Sequence, residues 1–317
     1  MKLLAAFLVT LLFFVSAAAA ADFQGIVLPG SESDFPQGGA IAGHVADTAG
    51  SGYTVRLETA SGDTEVRVRS FSAYGMEWFV LPLRFDLPPD DYLLRAIPHD
   101  PSAVQLDAIP VTVRNRDFPR QEIRLTREVS DLRRTVDPRR EEESARLWEI
   151  LSTTSEDALY HFGSMIIPLN ADYRTTSDFA HQRIFLYDDG TSARSVHWGW
   201  DLAAPTGTEV VAPGGGRVVL ASDRLITGNS IVLEHLPGMY SLFYHMDSLA
   251  VAEGDVVEPG AILGTVGSTG VSTGPHLHWE LRIATVPVQP NHFLEHPLLD
   301  TGAAFPDNVP SNGQPHR

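Results

Sequence analysis

His197-Trp198-Gly199-Trp200-Asp201, Phe243-Tyr244-His245 and His276-Leu277-His278-Trp279-Glu280 are three pieces of one Gly-rich, Val-rich stretch that together hold four histidines and an aspartate. The 317-residue chain has no cysteine, which excludes disulfides, thiol nucleophiles and thiolate metal sites. Residues i and i+2 of a strand face the same way, so His276 and His278 should stand side by side, able to serve one metal or a metal and its reacting water. In a flat strand the Cα atoms of His197 and Asp201 would lie about 13 Å apart. That is too far to share an ion comfortably, so the backbone is expected to bend, with Gly199 as the residue able to do it. Neutral imidazoles with one carboxylate suit zinc, with three protein ligands and an open fourth position.

Outward from these pieces, short β-branched or aromatic runs at 210–212, 217–221, 230–234, 240–244 and 261–266 alternate with glycine turns and with a turn over 255–260. No long amphipathic helix interrupts them, so residues 155–297 read as an antiparallel all-β domain. Gly214-Gly215-Gly216 reads as a hairpin turn, because no helix follows it to make a phosphate cradle. Upstream, residues 53–58 and 65–69 alternate apolar and polar across a turn at 59–63. Further strands are expected at 78–85, 92–97, 110–114 and 122–125. Strands at this spacing predict an antiparallel, immunoglobulin-like β-sandwich over residues 25–125.

Residues 126–154 change character. Asp137-Pro138 is a helix start, with Asp137 as N-cap and proline in the first turn. Glu141, Glu142 and Glu143 favour the helix N-terminus, and Ala145, Leu147, Trp148 and Leu151 supply an apolar face, the charges forming a solvated face. This is a helical linker. Residues 298–317, with Gly, Pro, Asn and Ser prominent, are expected to be a disordered tail. Residues 1–21 have a signal-peptide pattern: Lys2, a short apolar core to Val15, then small residues from Ala17 to Ala21. They predict export to the periplasm, cell envelope or medium, with no integral membrane segment after signal removal.

Lys+Arg is 23 against Asp+Glu 40, a net charge of −17, which argues against nucleic acid or anionic membrane as partner. Lys2 is the sole lysine. Schiff-base chemistry and lipoyl or biotinyl attachment are therefore excluded, although the segment 251–257 has the look of a carrier-domain hairpin.

The motifs His197-x-x-x-Asp201-Leu202-Ala203-Ala204-Pro205-x-Gly207-Thr208, Tyr244-His245, and Gly267-Ser268-Thr269-Gly270-x-Ser272-Thr273-Gly274-Pro275-His276-Leu277-His278-Trp279-Glu280 resemble those of the lysostaphin/LytM-type zinc metallopeptidases. The resemblance covers roughly residues 155–297. It implies a two-sheet antiparallel fold of the duplicated-hybrid-motif kind, with one Zn2+ per chain on His197, Asp201 and His278. It also implies that His245 and His276 are catalytic, handling protons and stabilising the oxyanion. The implied activity is that of an exported endopeptidase cleaving peptide bonds in cell-wall peptidoglycan by a zinc-activated water with histidine acid/base assistance. The alternative within the same family is a non-catalytic regulator that activates cell-wall amidases. One departure is Phe179-Ala180 where the family usually has Phe-Gly; Arg183 still follows. Residues 25–125 resemble an N-terminal β-domain found ahead of such peptidases. Because relatives are often latent, the resemblance also implies that this domain can cover the groove as an intramolecular inhibitor.

The other histidines take structural readings. His235 ends a strand, His44 and His99 sit at the surface or in turns, and His161, His181, His292, His296 and His316 have no partner at useful spacing. Trp198, Trp200 and Trp279 read mostly as core.

Overall fold

Period-two alternation organises the first third of the chain, in a computed structural model that describes residues 25–29, 33–46, 52–134 and 136–301. The signal segment 1–21 and residues 302–317 lie outside the described residues, but the expected disordered tail does not begin at 298: Leu298 and Leu299 are buried in the core and their N–H groups donate to the Gly163 and Phe162 carbonyls. The first strands are β1 (Gly25–Val27), β2 (Asp34–Pro36), β3 (Ala40–Ala46), β4 (Tyr53–Glu58), β5 (Thr64–Arg69), β6 (Phe71–Ala73), β7 (Met76–Pro82), β8 (Asp90–Pro98) and β9 (Ile109–Arg114). They form two sheets, β1-β3-β7-β6 and β2-β9-β8-β4-β5. Only β2 and β9 pair in parallel. Tyr53, Val55, Leu57 and Leu94 of one sheet meet Ile41, Phe79 and Leu81 of the other in a single buried core. Each such side chain contributes about 1.5–3 kcal/mol by leaving water. The expected sandwich is there.

Strand β7 departs from simple alternation, since Trp78-Phe79-Val80-Leu81 is buried on both faces. Phe79 and Leu81 enter the sandwich core, whereas Trp78 and Val80, with Ala40 and Phe71, join a second cluster containing Ile283, Val288 and Phe293. A continuous apolar run is what a strand covered on both sides requires. It docks the sandwich against the C-terminal half, helped by Gln289 N–H donating to the Gly38 carbonyl at 2.7 Å.

Strand β10 (Arg120–Arg124) corrects one expectation. It is not part of the sandwich; it pairs in parallel with a strand of the C-terminal half. Arg120-Gln121-Glu122-Ile123-Arg124 has too little apolar surface to fill a sandwich face, and it suits a half-exposed sheet edge. Helices α1 (Arg127–Arg134) and α2 (Pro138–Ser152) follow. The Asp137 carboxylate accepts from Arg139 N–H at 2.9 Å, as a cap should. Leu147, Ile150 and Leu151 pack on Leu220, Val232 and Leu242. Trp148, expected on that face, is 61% exposed, because Ile150 takes the place one turn from Leu147. The charged face is not merely solvated either. Arg146 pairs with Glu253 at 2.6 Å, Arg139 with Asp223 at 3.1 Å, and Glu143 accepts from Leu225 N–H.

The C-terminal half contains β11 (Arg174–Ser177), β12 (Gln182–Leu186), β13 (Ser192–Val196), β14 (Gly199–Ala203), β15 (Glu209–Val211), β16 (Gly216–Arg224), β17 (Gly228–Leu236), β18 (Met239–Leu249), β19 (Val256–Val257), β20 (Ile262–Val266), β21 (Leu277–Ile283), β22 (Val286–Val288) and the short α3 (His292–Glu295). The main sheet runs β11-β14-β21-β18-β17-β16-β19, with β15, β20 and β22 attached, and β10-β12-β13 forms a small second sheet. Gly214-Gly215-Gly216 is not a hairpin turn: β15 pairs with β20 and β16 with β17 and β19. The triplet is glycine because a Cβ at Gly214 would lie 2.6 Å from the His161 ring and one at Gly215 would lie 2.5 Å from the Tyr160 carbonyl.

His235 is structural, as expected. It is fully buried, with Nδ1 2.6 Å from the Gly215 carbonyl and Nε2 2.8 Å from Ser241 Oγ. Burial pushes its pKa down to about 3. The unfolded chain therefore takes up a proton near pH 6.5 that the folded chain refuses until about pH 3, so stability falls as pH falls through that window. Urea unfolding should show His235 costing roughly 3 kcal/mol between pH 7 and pH 4. His235→Gln should lack that component of the slope; parallel pH profiles for the two proteins would refute the assignment.

Candidate metal centre

Strands β14, β21 and β18 lie side by side, and their register sets Asp201 opposite His278 and His278 opposite Tyr244. Alternation along β21 sends Leu277, Trp279 and Leu281 into the core, fully buried, and leaves His278 and Glu280 on the site face. His197 sits in the two-residue gap between β13 and β14, and its ring folds back over Asp201. His197 Nε2 lies 2.9 Å from Asp201 Oδ1 and 2.9 Å from His278 Nδ1, and His278 Nδ1 lies 2.8 Å from Asp201 Oδ1. These three residues are the group among the described residues whose atoms could hold a metal ion.

The expected bend does not fall at Gly199: β13 ends at Val196, His197 and Trp198 lie between the strands, and Gly199 is already the first residue of β14. Gly199 is needed for close approach instead: a Cβ there would lie 2.5 Å from the Trp279 carbonyl oxygen and 2.6 Å from His278 Nε2. Gly199→Ala should therefore cost about 1–3 kcal/mol by overpacking and loosen metal retention by displacing the His278 ring. Denaturant midpoints and metal content of the purified variant check both effects.

The donor chemistry fits a cation. His197 Nδ1 donates to the Asp178 carbonyl at 2.8 Å, which leaves Nε2 as a lone-pair acceptor. Asp201 Oδ2 is held by the Arg183 guanidinium, so Oδ1 faces the imidazoles. His278 Nε2 turns toward Glu280 Oε2 at 3.9 Å, and Glu280 is itself paired with Arg282. Three buried acceptors thus converge on one point, an arrangement that costs free energy unless a cation or proton lies among them. Burial pushes His197 down to about 4, so it is neutral and able to ligate at pH 7. For Asp201, burial favours the neutral acid, but His197 and His278 beside it hold the carboxyl well below the usual carboxylate range. Burial opposes charge on His278 too, yet the hydrogen bonds to Asp201 and Glu280 raise its pKa.

Two further imidazoles complete the cluster. The ring of His245 lies 4.9 Å from that of His276 and 6.3 Å from that of His278. His245 is placed by an irregularity where β18 carries an extra residue against β17, and it has φ +63°. Such a bulge re-aims a side chain. His245 Nδ1 donates to the Thr269 carbonyl at 2.8 Å and His276 Nδ1 to the Gly274 carbonyl at 2.8 Å, so both keep Nε2 for the site. His276 Nε2 is 3.7 Å from Asp201 Oδ1. Burial, then the neighbouring His276 and His278, push His245 down to about 3. His276 does not share a regular strand with His278; it precedes β21 and bridges to Gly267.

All five residues expected at the site come together, and His235 stays apart. Four residues went unassigned: Arg183, Tyr244, Glu280 and Arg282. Tyr244 stacks on the His278 ring at 5.2 Å and 6°. Glu280 was legible in principle, being two residues beyond His278 on the same face; Arg183 was not, since only the fold brings it to Asp201. Trp279 is core and Trp200 stacks on it at 6.3 Å, but Trp198 lines the groove and meets Phe85 edge-on at 5.4 Å. Ala180, at the family's glycine position, has φ +60°, the left-handed conformation that glycine tolerates best.

A cavity of about 380 Å³ opens over the cluster. Its far wall is Ile123 and Leu125 with Val129, Arg140 and Leu147, and no residue of β1–β9 lines it. The sandwich region touches the groove's edge where Phe85 meets Trp198, but it does not cover the groove; β10 and the two helices wall it.

Fold and site define an antiparallel β-domain in which two histidines and an aspartate are placed so that they could hold a metal ion. The family model of peptidase family M23 matches residues 195–290. Over 95 residues it is 43% identical to the DD-carboxypeptidase/endopeptidase Mpg of Neisseria meningitidis serogroup B, covering 30% of this chain and 22% of that protein. It is 34% identical over 121 residues to the peptidoglycan DD-endopeptidase ShyA of Vibrio cholerae, covering 38% and 27%. It is also 36% identical over 96 residues to the cell division protein DipM of Caulobacter vibrioides, covering 30% and 15%. The match thus spans about a quarter or less of these relatives' own length. A Pseudomonas aeruginosa protein assigned to peptidase M23 shares the fold at 23% identity and TM-score 0.55, over 81% of this chain and 93% of that one.

Proposed function

We propose that the protein is an exported zinc endopeptidase that hydrolyses peptide bonds in bacterial cell-wall peptidoglycan. The observation that carries this reading is the convergence of three buried acceptor atoms beside two imidazoles that each keep Nε2 free. His197 Nε2, Asp201 Oδ1 and His278 Nδ1 would hold the ion. When bound, zinc supplies a Lewis acid that polarises the scissile carbonyl and acidifies water. Arg183 and the Asp178 carbonyl keep two of the ligands aimed. His245, neutral at pH 7 because burial depresses its pKa, suits the role of accepting the water's proton at Nε2 and returning it to the leaving amine. His276, whose Nε2 also faces the site, would stand beside the oxyanion. One water is consumed, and a carboxylate and an amine leave.

The substrate class is supported by the groove walls, where Arg140 and Arg224 face the site in a chain of net charge −17. Stem peptides bearing carboxylates would complement them. The reading takes residues 155–297, with β10 at their edge, as the catalytic unit. Digestion of defined muropeptides by the zinc-loaded full chain, followed by mass spectrometry, tests it. Products whose summed mass exceeds that of the substrate by one water per cut bond are expected. Intact muropeptides in the presence of stoichiometric zinc would sink the endopeptidase reading and leave that of a non-catalytic regulator.

A further inference from the structure

A second cavity, of about 460 Å³, lies between the sandwich and the C-terminal half, lined by Arg56, Arg67 and Arg69 on one side and by Leu236, Met239 and Ile283 on another. Met239 and Ile283 are at the ends of β18 and β21 opposite His245 and His278, which sets this cavity roughly 20 Å from the metal centre by strand rise. The arginines are neighbours by register. Arg56 is directly opposite Arg67 on β5 and directly opposite Arg95 on β8, while Arg69 is opposite Thr54. Like charges facing one another across strands destabilise a sheet. One carboxylate enters the row: Glu58, which takes Arg95 Nε at 3.0 Å and is 4.0 Å from Arg56 NH1. Glu65 lies beside Arg56 and Arg67 in a smaller adjoining hollow. Arg67 and Arg69 make no ion pair among the described residues, and Arg56 Nε is buried without a hydrogen-bond partner there.

We infer that this cavity binds a small organic anion, its carboxylate or phosphate head held by Arg56, Arg67 and Arg69 and its apolar part against Pro237 and Ala284, the accessible residues of the facing wall. Four guanidinium groups, those of Arg56, Arg67, Arg69 and Arg95, beside two carboxylates, those of Glu58 and Glu65, leave the row short of negative charge in a chain that has acidic residues in excess. Planar guanidinium groups match both carboxylate and phosphate oxygens. The volume lies in the range of small-molecule sites, and Pro237 and Ala284 give the opposing wall some apolar surface. A ligand here would touch both halves of the chain.

Calorimetric titration of the full chain at low salt, with octyl phosphate and octanoate below their micellar concentrations and with inorganic phosphate, tests this. One octyl phosphate or octanoate should bind per chain, and whichever binds more tightly identifies the head group. The doubly substituted Arg67→Gln/Arg69→Gln protein should bind it at least tenfold more weakly. Both residues are exposed, so the fold should persist, as circular dichroism would verify. Arg56→Gln should also weaken binding. Saturable binding left unchanged in the double variant, inorganic phosphate binding as tightly as octyl phosphate, or no saturable binding of any probe would each overturn the inference.

Discussion

His278→Ala should strip the metal centre. The wild-type chain is expected to retain one zinc through dialysis against a weak chelator, and the variant none. His278 Nδ1 is within 2.9 Å of both other acceptor atoms, closer than His276 Nε2, which stands 3.7 Å from Asp201 Oδ1. Changing a residue that merely orients a ligand already costs 10–100-fold in metal affinity, so loss of a ligand itself should exceed about a hundredfold. Peptide hydrolysis should vanish with the metal. The fold should survive, because Asp201 keeps Arg183 and Trp279 and Leu281 still anchor β21 in the core. Zinc analysis on a variant with unchanged circular dichroism reads the result; stoichiometric zinc in His278→Ala would remove His278 from the ligand set.

His245→Ala should do the opposite, keeping zinc and losing cleavage. Its ring is 6.3 Å from that of His278, and its Nδ1 is committed to the Thr269 carbonyl, so it supports no ligand directly. Losing a positioned proton acceptor lowers turnover about 10²–10⁴-fold. The backbone supplies a control. With φ +63°, His245 sits where a residue with a Cβ is strained and glycine is not. His245→Gly should therefore be more stable than His245→Ala by about 1 kcal/mol, with both equally inactive. Full activity in either variant would remove His245 from the mechanism.

Much of the site was legible because its chemistry is carried by residue types and even spacings. His278 and Glu280 face one way and Leu277 and Trp279 the other, as alternation requires. Asp137 announced its helix because a cap is a local interaction. Local reasoning failed where the deciding contact is remote. Gly199 looked like a hinge, but it is small because His278 and Trp279 press against it. The glycine triplet at Gly214 looked like a turn and proved to be a close crossing against Tyr160 and His161. Strand β10 was identified as a strand but assigned to the wrong sheet, since alternation reports exposure and not the partner.

Sequence alone determined which side chains could bind a cation, that cysteine and lysine chemistry are excluded, and that the chain is mostly strand. Those conclusions depend on composition, on period and on functional groups, which are properties of the chain itself. Tertiary structure decided the rest. It set Asp201 opposite His278 and Tyr244, brought Arg183 onto Asp201, aimed His245 through a bulge, and placed β10 and two helices along the groove. Each of those depends on strand register or on packing between distant segments. A pattern of period two is the same for every partner a strand could take.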